Sequence, residues 1–280
     1  MSILHIALIR IVRHTQQNAC CFRSMVLTIC ARSNEPDAAS RATAILDSME
    51  HAHNNQNRKR IIACSRCYSA VITAWARSGS SDAVQQAFAL IDRMEQNRRD
   101  GSPHGSPNAR CYNSAIHTIA KSSDQKNKVD YCMDILRRMN SAKENGFIDC
   151  SPTTVTYSTI INACAYTTGD EECRRRAFDV ARSCLQTLLA SKELEPDESI
   201  FSNLLLVAQR HLGDGEARDR FAEALFKEAC KVGVVNRDIL VRFRRVSPRS
   251  AKRLLEHQDD DSILQECGKN IGKKDRFIRS

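Results

Sequence analysis

Glycine and proline are scarce in this 280-residue chain, ten and six residues respectively. So few chain breakers suit helices joined by short loops. Catalytic patterns are missing as well. The eight histidines are scattered and none lies in a His-Glu-x-x-His motif. No His-x-Glu paired with Cys-x-x-Cys announces a zinc deaminase, and no glycine-rich loop is present to cradle a phosphate. Cys64-x-x-Cys67 lacks a second half, so no zinc site is expected there. Acidic residues are not clustered as a nuclease requires. Asp259-Asp-Asp261 is read as part of a solvated tail in preference to a cation site. No apolar run approaches the roughly 20 residues of a membrane span. The expectation is a chain without enzymatic activity, cofactor, metal or membrane segment.

What is present leans basic. There are 42 Lys and Arg against 33 Asp and Glu, a formal net charge of +9. Such a balance favours an acidic partner such as nucleic acid. The 13 cysteines do not resemble a disulfide framework. Cys30, Cys164, Cys184 and Cys230 fall inside helical apolar patterns, where cysteine acts as a small buried hydrophobe in a reducing compartment. Residues 1–34 contain Arg10, Arg13, Arg23 and Arg32 and no acid. Two readings of this start stand side by side: a mitochondrial presequence, or Met1–Thr15 as the remnant helix of a preceding repeat.

Internal repetition dominates the chain. Shifted by 45 residues, Ser24-Met-Val-Leu-Thr-Ile-Cys-Ala-Arg-Ser33 falls on Ser69-Ala-Val-Ile-Thr-Ala-Trp-Ala-Arg-Ser78. The match runs on without a gap to Asp47-Ser-Met-Glu50 over Asp92-Arg-Met-Glu95. Tyr68, Tyr112, Tyr157 and Phe201 follow at steps of 44, 45 and 44, the last three each five residues after a proline. Tyr68, Val71, Ile72 and Trp75 keep the i, i+3, i+4, i+7 spacing of one helix face, as do Tyr157, Ile160, Ile161 and Cys164. A polar break precedes a second amphipathic face of Ala83, Ala87, Leu90, Ile91 and Met94. One such pair cannot bury both faces, so pairs must stack.

An aromatic, a small polar residue, an apolar first helix, a short turn and a second helix ending in Leu/Ile-Asp-x-Met before Pro and Asp or Asn together resemble the pentatricopeptide repeat. The likeness covers most of residues 20–236, with units longer than the family's usual 35 residues. A 45-residue period also suits HEAT or armadillo repeats, but those leave the Pro-to-aromatic spacing unexplained. The resemblance implies an all-α, right-handed superhelical solenoid of antiparallel helix pairs. Its expected layout is 1–19 as targeting segment or remnant helix, repeats at 20–63, 64–108, 109–153, 154–197 and 198–236, a capping helix at 237–257, and a flexible tail at 258–280.

The expected first helices are Cys21–Ser33, Ser65–Ser78, Ala109–Ser122, Thr154–Tyr166 and Glu198–His211. They carry Arg23, Arg32, Arg66, Arg77, Arg110, Lys121 and Arg210, with Glu198 as their one acid. Acids gather in the second helices and their entries, among them Asp47, Glu50, Asp92 and Glu95. In the family the first helices line a concave groove that takes single-stranded RNA. The resemblance then assigns base reading to Ser69 with Asn108, Asn113 with Thr153, Ser158 with Asp197, and Ser202 with Asn236. Ser with Asn implies adenine, Ser with Asp guanine, and Asn with Thr a pyrimidine. Arg66, Arg110, Val155 and Ser199 take the place that sandwiches a base, and Arg77 and Lys121 add groove charge. An alternative for the paired residues is that short polar side chains near a helix start cap it. The function so implied is organellar RNA processing, stability or translation, with the mitochondrion preferred to the plastid. Its rival is a scaffold that holds a peptide or protein partner in the same groove; a ribonuclease lacking its catalytic domain is a more distant third.

Overall fold

The computed structural model describes residues 27–29, 32, 35, 37–55, 62–124, 126–256 and 259–268. The segment expected at 1–19, most of the helix expected at Cys21–Ser33, and the last residues of the expected tail lie outside them. Among the described residues the structure is all-helical, with no strand. It divides into two compact units. Of the described residues, one holds those up to 123 together with 134–152, and the other holds 124–133 together with those from 153.

The first unit contains α1 (Ala38–Asn55), α2 (Ser65–Ser78), α3 (Ala83–Arg99) and α4 (Ala109–Lys121). The helix α5 (Lys128–Glu144) contributes its residues from 134 onward, and a 3-10 turn follows at Ile148–Cys150. Helix α2 packs against α1, α3 and α4, and α4 also packs against α3. The predicted stripe is what is buried: Tyr68, Val71, Ile72 and Trp75 on α2, then Tyr112, Ala115, Ile116 and Ile119 on α4. Each large apolar side chain so buried contributes about 1.5–3 kcal/mol. Helix α2 ends on Gly79 at φ +66, a left-handed cap that suits glycine.

A polar device ties these helices together, and it occurs twice. The Tyr68 hydroxyl donates to Glu50, and Asn97 Nδ2 donates to the Tyr68 oxygen at 2.9 Å. Arg93 holds Glu50 through Nε at 2.8 Å and Asp47 through Nη1 at 2.7 Å. One repeat later the Tyr112 hydroxyl donates to Glu95 at 2.9 Å. There Arg138 reaches Asp92 at 2.5 Å, Asp134 at 3.0 Å and Glu95 at 3.6 Å. A buried phenol thus meets a carboxylate from the helix before it, and an arginine from the helix after it neutralises that carboxylate.

The second unit begins with residues 124–133 and continues through α6 (Thr154–Ala165), α7 (Glu171–Ala190), α8 (Glu198–His211) and α9 (Glu216–Val232). It ends with α10 (Arg237–Val246), α11 (Pro248–Leu255) and α12 (Asp260–Cys267). Helix α8 packs against α6, α7, α9 and α10. Tyr157, Ile160, Ile161 and Cys164 on α6, and Phe201, Leu204, Leu205 and Ala208 on α8, form the buried stripe. Ala177, Ala181, Cys184 and Leu188 answer from α7. Tyr68, Tyr112, Tyr157 and Phe201 are each the fourth residue of their helix, and Leu240 takes that place in α10.

The C-terminal region departs from expectation. Residues 237–257 do not form one capping helix. Pro248 cannot extend the helix before it, and it opens α11 at N1 instead. Helix α10 takes the position of a further first helix, packed on α8, with Phe243 stacked on Phe226 of α9 at 4.4 Å. The aperiodic tail expected from 258 contains α12. Asp259 caps it by accepting from Ser262 N at 2.8 Å, Asp260 pairs with Arg244 across 2.5 Å, and Ile263 is buried. The run Asp259-Asp-Asp261 is therefore a helix start, where acids oppose the positive end of the dipole.

Candidate nucleic-acid interface

Each first helix buries one stripe and exposes another. On α2 the outward positions are Arg66, Ala70, Thr73 and Arg77, spaced i, i+4, i+7, i+11, with both arginines exposed and the middle pair half-buried. Helix α4 repeats them as Arg110, Ser114, His117 and Lys121. Eleven residues make about three full turns, so the two cations of each helix share a face roughly 16 Å apart. The stripe of the first unit carries four cations and no acid.

Arg66, Arg110 and Lys121 go without an acid partner for a structural reason. The acids of α1 and α3 are committed to Arg93 and Arg138 within the tyrosine networks. Arg66, Arg110 and Lys121 make no ion pair among the described residues. Partial desolvation of the ring, with Lys121 close by, holds the His117 imidazole below its ordinary pKa although the residue lies at the surface.

The second unit presents a different surface. On α6 and its C-cap Tyr166 the stripe is Val155, Thr159, Asn162 and Tyr166, with Val155 58% and Tyr166 49% exposed. On α8 it is Ser199, Asn203, Leu206 and Arg210, and on α10 Asp238, Arg242 and Arg245. The Arg210 guanidinium lies 4.5 Å from the Tyr166 ring centre. It also donates to the Ala165 carbonyl at 3.2 Å.

The residues assigned to base reading have other duties. Asn108 accepts from Cys111 N at 3.2 Å, Asp197 from Ile200 N at 3.2 Å, and Asn236 from Ile239 N at 2.9 Å. Thr153 accepts from Thr156 N at 3.4 Å, while Thr156 Oγ1 accepts from Thr153 N at 2.9 Å, a reciprocal box. All four are therefore N-caps, which is the alternative that helix-start chemistry offers. Ser69 is buried and lies 3.2 Å from the Ser114 hydroxyl of α4. Ser202 donates to Asp238 of α10 at 2.5 Å. Asn113 and Ser158 are half-buried. Ser69 and Ser202 thus join neighbouring first helices, the four caps close their own helix starts, and the open surface belongs to the stripe one face over. Ala70, Thr73, Ser114, His117 and Tyr166 belong to that surface and were not among the expected site residues. Continuing the i, i+4, i+7, i+11 spacing outward from Arg66 would have found them.

Among the described residues no group of three His, Cys, Asp or Glu side chains could hold a metal ion, and no helix is long and apolar enough to cross a membrane. No protein-family model, curated protein or solved structure matches the chain.

Proposed function

We propose that this chain is a helical-repeat protein of the pentatricopeptide type that binds single-stranded RNA, acting in organellar RNA processing, stability or translation. The observation that carries the reading is the acid-free row of Arg66, Arg77, Arg110 and Lys121 on two packed helices, beside acids already neutralised elsewhere. A phosphate chain needs repeated outward cations at a regular spacing, and this row supplies them. The finer architecture proposed is a right-handed solenoid of antiparallel pairs. The fourth-residue aromatic of every first helix and the twice-built tyrosine network support it.

Few cations and few unstacked bases per repeat make for modest affinity, on the order of micromolar. The test is fluorescence anisotropy of a labelled single-stranded RNA across a salt series. The triple variant Arg66→Ala, Arg110→Ala, Lys121→Ala should weaken binding to every sequence. It should also flatten the slope of log affinity against log salt by about 2, at roughly 0.7 per lost phosphate contact. An unchanged slope, or no RNA binding at low salt, rejects the reading. The exposed Val155 and Tyr166 favour a second reading, a protein-binding scaffold; salt-independent capture of a peptide together with absent RNA binding would select it.

A further inference from the structure

The start of α2 differs from the other first-helix starts among the described residues. In α4, α6, α8 and α10 the N-cap is Asn, Thr or Asp, and its oxygen accepts from the amide of the third helical residue. In α2 these two places are Cys64 and Cys67, and Cys64 makes no such bond. Instead the two sulfurs face each other at 3.7 Å. We propose that Cys64 and Cys67 form a reversible intramolecular disulfide, a redox modification site built into the first turn of α2.

The surroundings fix the backbone on which this chemistry takes place. Ala63 N donates to His104 Nδ1 at 3.3 Å, Gly105 N donates to the Ala63 carbonyl at 2.7 Å, and the Ser65 hydroxyl donates to the Ser106 carbonyl at 2.8 Å. Gly105 lies so close that a Cβ there would meet Ser65 N at 2.3 Å. The loop 104–106 therefore clasps 63–65 from outside, and α2 holds Cys67 from inside. Sulfurs at 3.7 Å must approach to about 2.0 Å to bond, a distance that side-chain rotation covers.

Burial separates the two roles. Cys64 is partly exposed and Cys67 is fully buried. Cys64 is the entry thiol and Cys67 the resolving one. The amides of a helix start favour a thiolate over a thiol, and the thiolate is the nucleophile. The oxidant is a small disulfide RSSR such as oxidised glutathione. The Cys64 thiolate attacks one sulfur of RSSR, an S–S bond breaks, and one RS⁻ leaves and takes up a proton. Cys67, losing its proton to solvent, then attacks Cys64 Sγ and expels the second RS⁻, which is protonated in turn. Two protein thiols are oxidised to one disulfide, and RSSR is reduced to two RSH. Cys111 also approaches this turn, donating to the Ser65 carbonyl at 3.4 Å, but burial pushes its thiol up to about 11 and keeps it protonated. The proposal does not depend on RNA binding.

The sequence makes the test direct. Trypsin cuts after Arg60, Arg66 and Arg77, so Cys64 and Cys67 fall in separate peptides, Ile61–Arg66 and Cys67–Arg77. The full-length protein is equilibrated in buffers of increasing oxidised-to-reduced glutathione ratio, quenched with acid, alkylated and digested without reduction. The expected result is a linked pair of these two peptides that grows with the ratio and disappears on adding dithiothreitol. Cys67→Ser should leave glutathione attached to Cys64, and Cys64→Ser should leave Cys67 unmodified while the protein stays folded. Both peptides alkylated at the most oxidising ratio, or Cys64 joined to any cysteine other than Cys67, overturns the proposal. The wild-type digest decides the question even if a variant does not fold.

Discussion

Asp197 caps α8 with a carboxylate oxygen, and that bond bears on what a substitution there does. Asp197→Ala removes the acceptor and strands an amide of the first turn. It should cost about 1 kcal/mol, read as a lower urea midpoint at unchanged slope. Asp197→Asn keeps a capping oxygen and should change stability by only a few tenths of a kcal/mol. The asparagine variant therefore isolates recognition from folding. If Asp197 also reads a base, Asp197→Asn should move the preference at one nucleotide from guanine towards adenine by about 1–3 kcal/mol in a selection from randomised RNA. An unchanged selected sequence would leave capping as its whole role. His211 is a second residue whose surroundings dictate its behaviour. Its Nε2 and the Cys164 carbonyl oxygen lie 2.7 Å apart, so Nε2 carries the hydrogen, and Nδ1 is buried with no hydrogen-bond partner among the described residues. Burial, reinforced by Arg174 and Arg210, holds the imidazole below its ordinary pKa. The unfolded chain then binds the proton first as pH falls. Stability from this group is complete above about pH 6.5 and is lost as pH drops from there towards the depressed folded value. The melting temperature should fall between pH 7.5 and 5.5, and His211→Gln should show a smaller fall over the same window.

The helices of the first unit are coupled through Tyr68, Glu50 and Arg93, with Glu50 the pivot. Glu50→Ala leaves a buried phenol and a guanidinium without their shared acceptor, and should destabilise by about 1–3 kcal/mol. A double-mutant cycle with Tyr68→Phe should return a coupling energy above 0.5 kcal/mol, whereas strict additivity would mean the contact contributes nothing. The same network accounts for what the sequence made legible. The ungapped match of Asp47-Ser-Met-Glu50 to Asp92-Arg-Met-Glu95 revealed the repeat, and those very acids are the partners of Arg93 and Arg138. Buried apolar stripes were readable because burial imposes the helical period on residue type. The starts of α4, α6 and α8 each follow a side chain that caps them, Asn108, Thr153 or Asp197, whereas α2 follows Cys64, which makes no cap bond, and was legible from the repeat period alone. The assignment of these polar residues was not settled by sequence, since a short oxygen-bearing side chain serves a cap and a base edge with the same chemistry. Helix α12 escaped because it shows no repeat and has only eight residues, too few for a periodic signal, while the helix expected at 237–257 is broken in two at Pro248. The sulfur contact at the start of α2 was invisible for another reason. A lone Cys-x-x-Cys reads the same whether its first residue caps a helix or lies in a loop.

At the scale of the molecule, charge is distributed unevenly between the two units. Outward stripes carry Arg66, Arg77, Arg110 and Lys121 in the first, but Val155, Tyr166 and Ser199 hold the matching places in the second until Arg210. The net charge of +9 is therefore not a uniform field, and on the proposed RNA-binding reading affinity should respond to where a cation is added. Val155 and Ser199 occupy the positions that Arg66 and Arg110 hold, at exposed sites where arginine fits without repacking the core. The double variant Val155→Arg, Ser199→Arg places cations at the equivalent positions of α6 and α8. If bound RNA follows the equivalent faces of successive first helices, two added phosphate contacts should steepen the salt slope by about 1.4 and tighten binding at low salt. Arg182→Ala and Arg220→Ala, on exposed second-helix sites paired with Asp179 and Glu216, change the net charge by the same two units in the opposite sense and should leave the slope unchanged. Equal and opposite responses from the two sets would show that net charge alone attracts the RNA. A response confined to the first-helix variant would show that the RNA follows a defined track, because only a backbone lying along those faces can distinguish cations placed there from cations elsewhere.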